Sequence, residues 1–177
     1  MRDSRGDTGV DEGAPARTAV DLPDRLNLEE NESVVPFDSF EPTSRHTIKQ
    51  FESRIGLALP ADYKIFLEQH NGGIFHGALF AVPKLGTDEA LDILYGFIDS
   101  ERSLDLRFWQ KEMEGEIPEN SIIIGTDPGG NTLVLDNEGI YYWDHEHYYP
   151  QTSNKKNADK VAGSFTEFMT LLRPPEE

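Results

Sequence analysis

Residues 121–146, SIIIGTDPGGNTLVLDNEGIYYWDHE, constrain the fold more tightly than any other part of the chain. Three isoleucines follow Ser121, Leu133 and Leu135 alternate with Thr132 and Val134, and residues 140–145 carry aromatic side chains. Short runs of β-branched and aromatic residues suit a pleated surface that packs on a core. Between the runs lie Asp127-Pro128-Gly129-Gly130 and Asp136-Asn137-Glu138-Gly139, where Pro presets one φ and Gly supplies a positive one. The spacing predicts a three-stranded antiparallel meander over residues 121–126, 131–136 and 140–145.

Helical signals surround it. Thr43 or Ser44 can cap a helix over residues 44–55, with Ile48, Phe51 and Ile55 on one face and Gly56 closing it. Pro60 suits the first turn of a second helix bearing Tyr63, Phe66, Leu67 and His70, and Asn71-Gly72-Gly73 supplies a left-handed stop. His70, on that apolar face, reads as a structural histidine. Two further strands are expected over residues 77–82 and 91–98, then a third helix over 103–113. Ser164-Phe165-Thr166-Glu167 is a capping box before the stripe of Phe165, Phe168, Met169 and Leu172, and Pro174 and Pro175 end the last helix. This order gives an α+β domain, a mainly antiparallel sheet of about five strands packed with helices, over residues 44–173.

Residues 1–30 lack a periodic apolar pattern, which points to a disordered acidic tail. Residues 31–43 place Val34, Val35, Phe37 and Phe40 among prolines and are expected to form an extended strap on the domain. Arg5-Gly6-Asp7 spells an adhesion tripeptide that nothing else in the chain supports. There is no cysteine, hence no disulfide and no thiolate chemistry. No apolar run suits a secretory leader or a membrane span, so a cytoplasmic protein without membrane contact is expected. The formal charge of −17 opposes binding to a nucleic-acid backbone and favours a basic partner.

The residues that invite chemistry are few. The loop Gly125-Thr126-Asp127-Pro128-Gly129-Gly130-Asn131 has the glycines of an anion cradle but no lysine and no following helix, so a hairpin turn is the better reading and no cofactor is expected. Asp144-His145-Glu146-His147 puts two imidazoles on one strand face, with Asp127 or Asp136 as further oxygen donors. Nothing in the spacing forces a third ligand there, and no nucleophile elbow or zinc-hydrolase motif is present; no metal and no catalytic residue is assigned. Binding remains. Tyr141, Tyr142, Trp143, Tyr148 and Tyr149 crowd into nine residues, and strand alternation is expected to turn some outward, Tyr142 with Asp144 or Tyr141 with His145. Glu112, Glu114, Glu116 and Glu119 form an acidic run suited to a basic surface. The candidate contact residues are Glu112, Glu114, Glu116, Tyr142, Asp144 and Glu146.

Two blocks resemble the SUKH superfamily. One is Leu59-Pro60-Ala61-Asp62-Tyr63-Lys64 through Phe66-Leu67 to Asn71-Gly72-Gly73; the other is Gly125, Asp127, Gly129, Gly130, Asn131, Asp136, Gly139 and the run Trp143-Asp144-His145-Glu146. That superfamily includes the yeast cell-wall-assembly regulator and many bacterial toxin-immunity proteins. The resemblance implies a non-enzymatic interaction domain, most directly an immunity protein that neutralises a toxin; the negative surplus of the chain points to a basic toxin such as a nuclease. A regulatory scaffold of the yeast type is the alternative, and a metal-dependent hydrolase a remote one.

Overall fold

A computed structural model describes residues 35–145 and 157–175. The expectations for the tail, for Glu146 and His147, and for most of the loop after Tyr148 lie outside the described residues.

Ser44 caps α1 (Arg45–Ile55) by accepting from the Thr47 amide at 3.1 Å, and Gly56 ends it at φ 71°. Pro60 precedes α2 (Ala61–His70), and Asn71 stops it in the left-handed region at φ 51°. Both boundaries follow from local chemistry, a hydroxyl for orphan amides and a residue that tolerates positive φ. The Arg45 Nε–H, shared between the two carboxylate oxygens of Glu68, ties the two helices together at their solvent side.

The chain then runs as a meander. The sheet order is β1 (Asp38–Ser39), β2 (Gly73–Val82), β3 (Thr87–Leu94), β4 (Ile122–Thr126), β5 (Thr132–Asp136), β6 (Gly139–Trp143) and β7 (Ala158–Ala162), every neighbouring pair antiparallel. The α+β class is as expected; the strand number is seven among the described residues rather than about five. β1 has only two residues and exists through its register with Ile74 and Gly73, and β7, Ala-Asp-Lys-Val-Ala, is too short and polar to declare itself. The predicted third helix is divided. A 3₁₀ turn (Arg102–Leu104) precedes α3 (Leu106–Glu112), because Asp105 leaves helical geometry and uses its carboxylate to cap the Arg107 amide. The last helix, α4 (Phe165–Leu171), has Ser164 accepting from the Glu167 amide, while the Glu167 carboxylate reaches the amide of Gly163, one residue before the cap.

The sheet curls. Phe80 on β2 meets Tyr142 on β6 at 5.9 Å and Phe168 on α4 at 5.6 Å between ring centroids, so two strands that are far apart in the order share one core. Every residue of β6 and all but the last of β4 and β5 are buried. Tyr63, Phe66 and Phe165 form a second aromatic layer between α2 and α4, and each such side chain withdrawn from water contributes about 1.5–3 kcal/mol. The strap lies on this core: Val35 is buried, and Phe37 stacks on Phe75 at 4.5 Å and edges against His70 at 5.3 Å.

Candidate functional site

The polar residues that catch the eye in the sequence are engaged inside the fold. The Asp127 Oδ1 accepts from the Asn131 amide at 2.8 Å, closing the turn, and its Oδ2 accepts from the Tyr142 hydroxyl at 2.7 Å and the Asn131 side-chain amide at 3.1 Å. The other end of Asn131 receives the His145 backbone N–H and ring Nδ1, the latter at 2.7 Å, which sets the imidazole as an Nδ1–H tautomer. A continuous chain thus runs from a buried carboxylate to an exposed histidine, and it fastens the end of β6 to the β4–β5 turn. Burial, reinforced by the bond to Asp127, pushes the Tyr142 phenol above its usual pKa. Gly130 supplies the turn's positive φ of 92°, next to the His145 ring.

The upstream block works the same way. The Asn71 side chain donates to the carbonyls of Glu41 and Phe97 and accepts from the Phe97 amide at 2.8 Å, so one residue stops α2, holds the strap and anchors the chain after β3. Gly72 and Gly96 allow that approach: a Cβ at Gly72 would lie 2.4 Å from the Leu94 carbonyl oxygen, and one at Gly96 would lie 1.8 Å from that of Asn71. The Asp62 carboxylate accepts from the Thr166 amide at 2.8 Å and joins the start of α2 to that of α4. These motifs are spent on holding elements together.

Two expectations about exposed aromatics change. Tyr142 is 4% exposed and Tyr141 8%, so neither ring offers a contact surface. Strand alternation would turn one of them to water only if one face of β6 were bare, and both faces are covered, the Tyr142 face by the curl that brings Phe80 across. Trp143, 1% exposed, is core. Asp144 is half-buried, with its backbone paired to Asn157, and Glu146 lies outside the described residues.

Glu112, Glu114 and Glu116 remain on the surface. The turn after α3 is pinned from beneath by Met113, partly buried against the core, and by Ile117, 6% exposed, and bends through Gly115 at φ 83°. The intervening glutamates therefore project outward, and their carboxylates make no hydrogen bond or ion pair among the described residues. They lead into Ser121 and the start of β4, whereas Asp144 follows Trp143, which the register places beside Thr132 and the far end of β4. The structure does not join Asp144 to the acidic turn. No group of three or more His, Asp or Glu among the described residues is arranged to hold a metal ion, and no described helix is long and apolar enough to cross a membrane.

Comparison with known proteins agrees with this framework. Residues 42–171 match the SMI1/KNR4 family (SUKH-1), a span that contains both motif blocks. The chain is also 30% identical over 147 residues to the SPbeta prophage-derived protein YokK of Bacillus subtilis (strain 168), an alignment covering 71% of this chain and 72% of that protein. With the motifs in place and most of the chain matched, the protein belongs to the SMI1/KNR4 (SUKH-1) family.

Proposed function

We propose that the chain is a non-enzymatic protein-binding domain that acts as an immunity protein, neutralising a cognate basic toxin by covering it. The observation that carries this reading is the acidic turn: Glu112, Glu114 and Glu116 lie exposed at the end of α3 and around a turn anchored by the partly buried Met113 and the buried Ile117, and their carboxylates bond nothing among the described residues. Asp62, Asn71, Asp127 and Asn131 of the two motif blocks, by contrast, are engaged in hydrogen bonds that join elements of the fold. Acidic side chains outnumber basic ones within residues 44–173 as well as in the whole chain. A nuclease toxin holds phosphate with cationic groups, so an acidic inhibitor is drawn to those groups and competes for them. The prophage origin of the similar Bacillus protein is compatible with a role of this kind.

The test begins with the product of the neighbouring gene as candidate toxin. Co-expression should restore growth, and the purified pair should associate more slowly as salt rises. The triple charge reversal Glu112→Lys, Glu114→Lys, Glu116→Lys should weaken protection while leaving the melting temperature near wild type. Protection that needs turnover, metal or nucleotide defeats the reading. A partner without a basic surface, drawn from cell-wall or signalling machinery, would favour the regulatory scaffold.

A further inference from the structure

The basic side chains are scarce, and their distribution is uneven. Arg45, Lys64, Lys84, Arg107 and Arg173 each meet a carboxylate within 4.0 Å. Among the described residues that leaves Lys49, Arg54, Arg102, Lys111 and Lys160 without an ion pair. Three of these five, Arg54, Arg102 and Lys111, line two adjoining hollows that share Arg54 and Arg107 and together make a groove beside α1 and α3. The first, between the two helices, holds about 450 Å³ and is lined by Phe51, Ile55 and Lys111; the second is lined by Arg102 and Phe108, over whose ring the Arg102 guanidinium lies at 5.1 Å. Lining carboxylates offset part of this charge: Arg107 bonds both Asp99 and Asp105, at 2.6 and 2.9 Å, and Glu114 also lines the groove, so four cations face three carboxylates there. Among the described residues, Arg54, Arg102 and Lys111 thus stand without an ion pair beside the apolar Phe51 and Ile55.

We propose that this groove is a second docking surface, which receives an acidic, aliphatic peptide segment of a protein partner. Its carboxylates meet Arg54, Arg102 and Lys111, and an apolar side chain enters between Phe51 and Ile55. Charge complementarity selects the occupant. A long polyanion such as nucleic acid is repelled by the net charge of −17, whereas a short segment with a few carboxylates is screened from that field beyond about 8–10 Å and feels the local cations. The apolar floor favours a segment with an aliphatic anchor over a bare run of acid, because most of the binding energy at such sites comes from the buried anchor. The inference goes beyond the immunity reading and does not depend on it.

The experiment is selection from a displayed library of random peptides on the full-length chain at low salt. The expected winners carry Asp or Glu beside Leu, Ile or Phe. Synthetic copies should lose affinity by about tenfold on Arg54→Glu or Lys111→Glu, and less on Arg102→Ala, with unchanged melting temperatures. No enrichment, winners without acidic residues, or equal affinity for wild type and the three variants overturns the proposal. Basic winners that respond to Glu114→Lys and not to Arg54→Glu would overturn it and leave the acidic-surface reading standing. Failure of the toxin test leaves this docking surface untouched.

Discussion

Asn71→Ala should be among the most damaging single substitutions that delete only a few polar atoms. The side chain is 3% exposed and makes three hydrogen bonds, all to backbone: out to Glu41 in the strap and to both backbone groups of Phe97. Truncation leaves the buried Phe97 amide without an acceptor, which costs about 1–3 kcal/mol. It also places alanine at φ 51°, where an L-residue other than Asn or Gly pays about 1–2 kcal/mol. The sum centres at about 3.5 kcal/mol, a urea midpoint shift of roughly 1.8 M for a slope of about 2 kcal/mol per molar. Asn71→Gly separates the two effects. It loses the same bonds but removes the left-handed penalty, and after allowing for the freer unfolded chain it should sit about 0.5–1 kcal/mol above the alanine variant. Equilibrium unfolding followed by tryptophan fluorescence reads both. The reasoning is refuted if Asn71→Ala lies within about 0.5 kcal/mol of wild type, or if the glycine variant is the less stable of the two.

Other perturbations test other joints. Gly139→Val should cost about 3 kcal/mol or more, since φ is 145° there and a Cβ would stand 2.1 Å from the Ala162 carbonyl oxygen, forcing β6 and β7 apart; an unchanged midpoint would remove that contact from the account. Trp143→Ala should cost about 3–5 kcal/mol as a core truncation, whereas Trp143→Phe forfeits no hydrogen bond among the described residues, where the indole N–H has no partner; a small loss on Trp143→Ala would contradict its place in the core. Alkaline pH should destabilise the fold through its buried phenols. Burial raises the pKa of Tyr63 and Tyr142 and pushes Tyr95 up to about 12, so their contribution is fully present below the ordinary phenol pKa and is lost as pH climbs through the folded values. Each such tyrosine contributes a slope of about 1.4 kcal/mol per pH unit above about pH 10, and Tyr142→Phe should flatten the decline; midpoints measured at several alkaline pH values decide.

Several local features were legible before any tertiary contact was considered. Ser44 and Ser164 as helix caps, Asn71 as the left-handed stop and the turns at 127–130 and 136–139 depend on residues that satisfy or strain their own neighbours' backbone, and that chemistry is written in order along the chain. The α+β class and the family followed from the same residues. β1 and β7 were not legible, because a two-residue strand and a five-residue strand with Asp and Lys owe their state to the strands they pair with.

The exposure of the candidate contacts depended on the fold as a whole. Alternation tells which side chains share a face of β6, but only the curl that brings Phe80 across to Tyr142 decides that this face is covered, and so withdraws Tyr142 from the surface. The acidic run was visible as Glu112, Glu114 and Glu116; that Met113 and Ile117 pin it outward was not. Arg54, Arg102 and Lys111 are far apart in sequence and unremarkable there. They become neighbours because α3 settles beside β4 and α1 packs across from it, and no local pattern encodes a juxtaposition produced by the packing of distant elements.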